Sequence, residues 1–287
     1  FLMKELITIA VDAMGGDNSP QKIIEGIELH HKKSKNIFYK LFGNKNLIDP
    51  IIKNKSIDNN FIEIIHTEEK IKGEDTAFAA AKRGKKTSMW LAIESVKNKD
   101  SDIVISAGNT GALLVIAKLN LKMIENIDKP ALSGLWPSKK GMSVVLDLGA
   151  NIECSDKNLI DFSIMGSSLF KSLFPNEKPK VALLNIGSEE LKGNEVIKET
   201  YQKLNQINNE DFEFKGFIEG SHIMDGEVNV VVADGFSGNV ALKTAEGTAN
   251  FITNELKKSL KSSIFGMIGS LISNRSLKNF KKKLDPR

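Results

Sequence analysis

The amino-acid sequence predicts an α/β fold in which helices cover both faces of a mostly parallel sheet, giving three layers. Short apolar runs rich in β-branched residues alternate with helical patterns, an alternation typical of βαβ units. Glycine-rich stretches follow most of these runs. With 41% apolar residues in 287, the chain also has enough apolar side chains for a sizeable core.

Eight short segments are predicted as strands. Uninterrupted apolar runs such as DIVIS and VALLN are typical of strands that are buried on both faces. The predicted strands are 6–11, 37–42, 61–65, 102–106, 143–147, 180–185, 213–218 and 229–233.

Apolar residues at helical spacing predict helices between these strands. Examples are 20–31, 76–97, 110–124, 193–205 and 238–262. No internal repeat or low-complexity linker precedes about residue 250. We therefore predict one α/β domain at 1–253 and a basic amphipathic helical segment at 254–287.

Composition excludes some kinds of site. The single cysteine, Cys154, excludes a disulfide framework and a cysteine-rich metal site, and the four histidines form no HExxH motif. The sequence has no signal-peptide pattern and no apolar run near the roughly 20 residues that span a bilayer. We therefore expect a cytoplasmic protein.

Charge is distributed unevenly along the chain. The formal net charge is +4, yet residues 257–287 hold nine Lys and Arg and one acid, so this tail is +8 and the remainder −4. A basic tail favours an anionic partner, which is a membrane surface, a nucleic acid or an acidic protein.

The tail also carries an apolar stripe at helical spacing. This stripe lies in an anionic membrane interface, packs in a dimer or over the core, or serves both a dimer and the membrane. Gly266 and Gly269 predict a break or bend there, as at the tip of a helical hairpin. Stacking aromatics and known motifs are lacking, so nucleic acid is not an expected partner. The predicted contact residues are Ile264, Phe265, Met267, Ile268, Leu271 and Ile272.

Glycine-rich stretches follow five predicted strands, the first of them containing Gly15 and Gly16. In an open α/β sheet these junctions meet at the carboxyl edge, where ligands bind. Glycine lets backbone N–H groups approach a ligand, so we predict an anion-binding edge, although each stretch alone could be a simple turn. None matches a strict GxGxxG or GxxxxGK[ST] motif, and we expect no nucleotide cofactor.

The stretch SAGNTGALL is the strongest candidate phosphate cradle. Gly108, Asn109, Thr110 and Gly111 directly precede or open a predicted helix, whose N-terminus favours anions. The alternative is that the polar residues only cap the helix.

Four acids end or follow strands, and carboxylates beside a phosphate site would repel the substrate. Asp12 and Asp17 together suit a magnesium ion, but their spacing alone is weak evidence. We instead predict that the acids brace the glycine loops by hydrogen bonds and that no metal is required. The four are Asp12, Asp17, Asp147 and Asp234.

These stretches resemble the PlsX family. VDAMGGDNSP, SAGNTGALL, LDLGAN, LLNIGSEELKGNE and DGFSGNVALKTAEG occur in that family's order between about Lys4 and Arg287. The resemblance implies a Rossmann-like sandwich, similar to phosphotransacetylases and isopropylmalate dehydrogenases. It also implies an acyltransferase of phospholipid synthesis, which converts acyl-acyl carrier protein and inorganic phosphate to acyl phosphate and free carrier protein.

Further expectations come from the same resemblance. Members of the family work as homodimers that associate peripherally with the membrane. In this chain the catalytic domain would be residues 1–253. Its chains usually continue beyond LDPR with another strand and helix, a unit absent after residue 287.

Attack of phosphate on a thioester needs little acid or base, because the leaving thiol has a pKa of about 8.5. Such a reaction depends on positioning and on oxyanion stabilisation. Lys192 and Asn239 are therefore the catalytic candidates, and Asn151 is a further phosphate-binding candidate. The resemblance favours these three and Asn109. The alternatives are a solvated lysine and helix-capping amides.

Two other functions remain open at this point. An NAD-linked decarboxylating dehydrogenase on a related fold would need arginines for its acid substrate, and the chain has only Arg83, Arg275 and Arg287. A non-catalytic scaffold for acyl chains or carrier protein would not need five polar glycine-rich loops.

Three smaller features of the sequence concern a partner and two reactive side chains. The run KRGKKTS is either a docking patch for the acidic carrier protein or a solvated charge run. Cys154 is interpreted as incidental rather than nucleophilic, and His222 as a surface histidine.

Overall fold

The computed structural model describes residues 6–34, 36–207 and 210–284. Backbone contacts divide the chain into two compact units, Phe1–Glu125 (unit 1) and Asn126–Arg287 (unit 2). No boundary was predicted at this point from the sequence, where one domain was predicted at 1–253. The predicted boundary after residue 253 lies inside a continuous helix of unit 2 and stays a prediction.

Unit 1 is a four-stranded parallel sheet with helices. Its strands are β1 (Ile7–Asp12), β2 (Ile37–Gly43), β3 (Ile62–His66) and β4 (Ile103–Ser106). Its helices are α1 (Gln21–Lys33), α2 (Lys45–Ile52), α3 (Ala77–Arg83), α4 (Ser88–Lys97) and α5 (Thr110–Leu121), with a short 3₁₀ helix at Asn59–Phe61. The strand order is β3-β2-β1-β4, and all neighbours are parallel.

Alternate side chains of β1 point to opposite faces of this sheet. Ile9 and Val11 pack in a buried cluster with residues of α1 and α2, including Ile24. Ala10 packs on the other side with Ala92 of α4. Unit 1 therefore has three layers. A large apolar side chain such as Ile24 contributes roughly 1.5–3 kcal/mol when it is fully buried.

Unit 2 contains the second sheet. Its strands are β5 (Ser133–Ser138), β6 (Gly141–Leu146), β7 (Lys180–Asn185), β8 (Glu213–Glu219) and β9 (Val230–Val232). Its helices are α6 (Asp156–Leu173), α7 (Glu195–Gln206), α8 (Gly235–Lys261), α9 (Ile264–Ile272) and α10 (Asn274–Leu284), with a 3₁₀ helix at Gly220–Asp225. The order is β5-β6-β9-β7-β8, and only β5 pairs antiparallel among the described strands.

The second sheet is also covered on both faces. Val144 and Leu146 of β6 pack with Phe162 of α6. Val145, between them in sequence, packs with Leu242 of α8. The predicted α/β class with mostly parallel strands and three layers is thus confirmed, with a separate sheet in each unit.

All eight predicted strands are present within two residues of their predicted ends. Strand β5 was not predicted, because Gly134 and Pro137 within it are residues typical of turns. β5 lies at the edge of its sheet, where a proline that cannot donate a ladder hydrogen bond is tolerated.

The helix predicted at 76–97 is two helices. Gly84 ends α3 with a φ of +116°, a conformation that favours glycine. Thr87 then caps α4, its Oγ1 accepting the N–H of Trp90 at 3.3 Å. Two local signals thus overrode a continuous helical pattern.

The tail is helical as predicted, but its helices do not end at Gly266 or Gly269. The helix is not broken at Gly266 and Gly269, since α9 runs through both, and the alternative of a bend there stays a prediction. The chain instead turns before Ser263, whose Oγ accepts the N–H of Gly266 at 3.0 Å. No helix among the described residues is long and apolar enough to cross a membrane. The side chains of Lys281, Lys282 and Lys283 and all of Arg287 lie outside the described residues.

All six predicted contact residues of the tail are exposed. Their exposed fractions range from 45% at Met267 to 87% at Phe265. An apolar stripe left this open on one helix is typical of a surface that contacts a partner or a lipid.

Candidate active site

The predicted site residues lie on loops at the carboxyl edges of the two sheets. In unit 1 these loops follow β1 and β4, which are paired neighbours. In unit 2 they follow β6, β9 and β7, which are also adjacent. Because parallel strands end at the same edge, loops distant in sequence lie together within each unit.

A buried carboxylate joins the two loops of unit 1. Asp12 is 1% exposed, and its Oδ2 accepts a hydrogen bond from the Ser106 hydroxyl at 2.7 Å. Ser106 Oγ in turn accepts the N–H of Gly108 at 3.1 Å. Asp12 Oδ1 accepts the N–H of Met14 at 3.3 Å. The side chain thus bonds both to its own loop and to the predicted phosphate cradle.

Gly15 and Gly16 make this close approach possible. A Cβ on Gly15 would lie 2.5 Å from Asp12 Oδ2 and 2.9 Å from the Gly108 nitrogen. Gly16 has a φ of +83°, and its Cβ would lie 2.5 Å from the Ala107 carbonyl oxygen. Loop packing alone therefore requires both glycines, and their contact with an anion stays a prediction.

Asn109 caps α5, and its amide is fully engaged. Its Oδ1 accepts the N–H of Ala112 at 2.9 Å, while its Nδ2 donates to the carbonyl oxygens of Gly73 at 2.9 Å and Asp75 at 3.0 Å. Thr110 and Gly111 form the exposed first turn, where backbone N–H groups have no helical acceptor. An anion would therefore meet backbone donors here rather than the Asn109 side chain.

Asp147 organises the loop of unit 2. It is fully buried and accepts five hydrogen bonds. Oδ1 accepts the N–H groups of Leu132, Gly149 and Ala150, and Oδ2 accepts the backbone and side-chain N–H groups of Asn151. The side-chain nitrogen of Asn151 also donates to the Pro130 carbonyl at 2.7 Å, so both of its hydrogens are bonded to protein oxygens.

The first turn of α8 packs directly on this loop. The N–H of Gly235 donates to the Asn151 carbonyl at 2.7 Å. A Cβ on Gly235 would lie 2.5 Å from that same oxygen, and one on Gly238 would overlap the Asp147 carbonyl oxygen. Asp234 caps the helix by accepting the N–H and hydroxyl of Ser237, both at 2.8 Å.

Asn239 is the fifth residue of α8, directly after this first turn, and is exposed. Its Nδ2 donates to the Leu148 carbonyl at 3.1 Å, which orients the amide and uses one of its two hydrogens. Gly149 faces the same amide with a φ of +130°, and a Cβ there would lie 2.8 Å from Nδ2. Asn239 thus keeps one N–H for a ligand, unlike Asn151.

Lys192 has a hydrogen-bonded backbone and a solvent-exposed ammonium group. Its carbonyl accepts the Asn185 amide at 3.1 Å, and Gly193 follows with a φ of +94°. Its side chain is 53% exposed, and its Nζ lies 4.0 Å from Glu189 Oε1, at the limit of an ion pair. The ammonium can therefore contact an anion.

Two residues that hydrogen-bond within the loops of the candidate site were not predicted from the sequence. Ser106 and Asn185 each occupy the last position of a strand, as Asp12 does. A polar residue at the end of an apolar strand was the available signal. Asp17, in contrast, is exposed, and its predicted bracing role stays a prediction.

Cys154 and His222 match their expected environments. Burial raises the pKa of the Cys154 thiol, which disfavours the nucleophilic thiolate. His222 is exposed, and its Nδ1 lies 2.7 Å from Asp225 Oδ2. Within the described residues, no group of three or more His, Cys, Asp or Glu is placed to hold a metal ion.

Comparisons with known proteins show the family of this chain. A family profile described as "Fatty acid synthesis protein" matches residues 7–287. A phosphate acyltransferase of Pelagibacter ubique is 70% identical over 285 residues, covering 99% of this chain and 85% of the relative. A phosphate acyltransferase of Paramagnetospirillum magneticum is 39% identical, covering 99% of this chain and 81% of the relative.

Among solved structures, the EutD phosphotransacetylase from Staphylococcus aureus superposes with a TM-score of 0.60 at 14% identity. The match covers 85% of this chain and 82% of that one. At this identity the likeness shows the fold alone, and it confirms the expected Rossmann-like similarity to phosphotransacetylases.

Proposed function

Because the chain belongs to the PlsX family of phosphate acyltransferases, we propose that it transfers the acyl group of acyl-acyl carrier protein to inorganic phosphate. The products are an acyl phosphate and free carrier protein, and the acyl phosphate serves phospholipid synthesis. A dehydrogenase and a non-catalytic scaffold are not favoured, since the matched relatives are acyltransferases.

A phosphate oxygen attacks the thioester carbonyl, and the carrier thiolate leaves. Phosphate is already anionic near neutral pH and the thiol has a pKa of about 8.5, so neither group depends on a strong base or acid. The protein's main contributions are placement of the reactants and stabilisation of the tetrahedral oxyanion.

Asn239 and Lys192 are the proposed oxyanion-stabilising residues. The observation that carries this assignment is the hydrogen bond near the N-terminus of α8, where Asn239 is anchored to the Leu148 carbonyl and keeps one amide hydrogen. Lys192 adds a positive charge from the loop after the adjacent strand β7. Preorganised donors of this kind stabilise developing negative charge without reorganising during the reaction.

Phosphate is proposed to bind backbone donors of the glycine loops. Thr110 and Gly111 present the N-terminus of α5, which favours an anion. Asn109 and Asn151 support the loops instead, because their amide hydrogens are bonded to protein carbonyls or carboxylates. Asp12, Asp147 and Asp234 act as braces through the contacts described above.

The tail is proposed to form the dimer contact, the membrane contact or both. The exposed stripe on α9 and the flanking cations Lys257, Lys258 and Lys261 suit a helix that lies on anionic lipid. We accordingly propose a cytoplasmic enzyme that associates peripherally with the membrane as a homodimer.

The proposed function is tested by incubating the chain with long-chain acyl-acyl carrier protein, with and without phosphate. Acyl phosphate is detected by mass spectrometry and should appear only with phosphate. Lys192→Ala and Asn239→Ala should each lower kcat by about 100-fold or more, the usual cost of losing an oxyanion donor.

Lys215→Ala is the matched control, since Lys215 is an exposed lysine that pairs with Glu213 on the edge strand β8. It should retain full activity. Absence of acyl phosphate at every phosphate concentration would contradict the acyltransferase proposal and favour the non-catalytic scaffold. If acyl phosphate still forms in both the Lys192→Ala and the Asn239→Ala variants, the catalytic residues lie on other loops.

A further inference from the structure

A second basic surface lies on unit 1, far from the tail in sequence. Residues 77–87, which comprise α3 and the loop before α4, contain four cations and no acid. All four are exposed, and we call this segment the α3 basic surface. Its cations are Lys82, Arg83, Lys85 and Lys86.

Three of these cations are available to a partner. Lys82, Lys85 and Lys86 have no acidic group within ion-pair distance in the described part of the chain. Many other lysines of the protein do pair, such as Lys139 with Asp225 at 2.7 Å. Unpaired cations at an exposed site attract an acidic partner without first breaking an ion pair.

The fourth cation connects this surface to the candidate site. Arg83 Nη1 donates to Asp75 Oδ2 at 2.6 Å, and the Asp75 side chain is only 9% exposed. The carbonyl of Asp75 accepts the Asn109 amide, and Asn109 caps α5. α3 also packs against α5 through Ala80 and Ala112. The surface therefore lies beside the proposed phosphate-binding turn.

An apolar side chain completes the surface. Phe78, in the first turn of α3, is 78% exposed. An exposed aromatic ring beside cations is typical of protein interfaces, where aromatic residues anchor the contact and charges select the partner.

We propose that the α3 basic surface docks the acyl carrier protein, an inference that rests on the proposed function. The carrier is acidic, so its charge complements Lys82, Lys85 and Lys86. It must also deliver a tethered thioester to the phosphate-binding turn, and Arg83 and Asp75 hold the surface next to that turn. The tail instead places its cations beside an exposed apolar stripe, a pattern that suits lipid.

The test measures binding of fluorescently labelled holo-acyl carrier protein to the full 287-residue chain by anisotropy at low salt. The triple variant Lys82→Gln, Lys85→Gln, Lys86→Gln should bind the carrier more weakly, with a Kd at least about tenfold higher. The matched control neutralises Lys33, Lys53 and Lys97, which are exposed at or just after the C-terminal ends of α1, α2 and α4. It should change Kd by less than about threefold.

A variant with arginine at positions 82, 85 and 86 keeps the charge and should keep the affinity. The proposal is overturned if the glutamine variant and its control bind the carrier equally well. It is also overturned if the glutamine variant loses binding to phosphatidylglycerol vesicles but keeps binding to the carrier, since the surface would then be a lipid contact.

Product formation separates this proposal from the proposed function. No acyl phosphate from the parent chain, together with lysine-dependent carrier binding, would reject the acyltransferase function and retain the docking surface. Acyl phosphate from both the parent and the glutamine variant with the same KM for the carrier would retain the function and reject the docking surface.

Discussion

The two units use a buried carboxylate at the end of a strand in different ways. Asp147 of unit 2 accepts five hydrogen bonds, four of them from residues 149–151 of its own loop. Asp12 of unit 1 accepts one from Met14 in its own loop and one from Ser106 at the end of a neighbouring strand. Asp147 thus bonds mainly within its own loop, with one further bond from Leu132, whereas Asp12 divides its bonds between two loops.

This difference separates two ways of building a site. A loop closed on its own carboxylate holds its shape locally, so the first turn of α8 can pack against a fixed backbone. Loops joined by one side-chain bond depend on each other, so a change in one reaches the other. We expect unit 2 to respond to one substitution with a large effect and unit 1 to show coupling between two smaller ones.

The largest expected effect is that of Asp147→Asn. The amide replaces one acceptor oxygen by a donor that faces N–H groups, and it removes the charge that strengthens the remaining bonds. We expect the free energy of unfolding to fall by about 3–5 kcal/mol, measured by urea denaturation.

Asp128→Asn serves as its control, because Asp128 is 59% exposed and pairs with Lys157 at the surface. It should cost less than about 1 kcal/mol. Equal costs for the two variants would contradict the idea that Asp147 is the organising group of its loop.

A smaller effect is expected in unit 1. Asp12→Asn and Ser106→Ala should each lower the free energy of unfolding by about 1–2 kcal/mol, because each leaves a buried polar group without its partner. The double variant should cost less than the sum of the two, since both break the same bond. Strict additivity in the urea measurements would show that the two loops are not coupled through this pair.

The smallest effect on stability is expected at Asp225, a carboxylate at the protein surface rather than in a buried loop. The hydrogen bond from His222 to Asp225 raises the pKa of His222 above its ordinary value. The pKa of Asp225 itself is lowered, mainly by its hydrogen bond from Lys139. Because the folded-state pKa of His222 is raised, its stabilising contribution is present below about pH 6.5 and is lost as the pH rises through that raised value.

An NMR titration of His222 measures this shift. Asp225→Asn should move the His222 pKa back towards its ordinary value and change stability only slightly, since the pair is exposed to solvent. An unchanged titration would assign the shift to other neighbours, such as Glu219 and Glu227.

Most of the fold could be predicted from local patterns. Eight of the nine described strands follow from apolar runs, and the ninth, β5, was hidden by Gly134 and Pro137. The extra helix boundary at Gly84 depended on one backbone conformation, which apolar spacing does not report. The division at residue 125 left no mark in composition, because both units are α/β.

The sequence predicted which residues belong to the candidate site better than it predicted what each of them does. Lys192 and Asn239 lie where the glycine-rich loops placed them, at the carboxyl edge of a parallel sheet. Asn109 and Asn151 looked equivalent to Asn239 in sequence, since each is an amide in a glycine-rich stretch that follows a strand. The structure separates them by how many amide hydrogens the protein itself uses.

The sequence by itself determined eight of the nine described strands, the edge at which the polar loops gather and the family to which the chain belongs, because these depend on periodicity and contiguous motifs. Only the tertiary structure decided which polar groups brace and which stay open. Asn109 donates to carbonyls 34 and 36 residues away, and Asp12 accepts from a serine 94 residues away. Hydrogen bonds of this span form only after the strands have paired and brought their ends together.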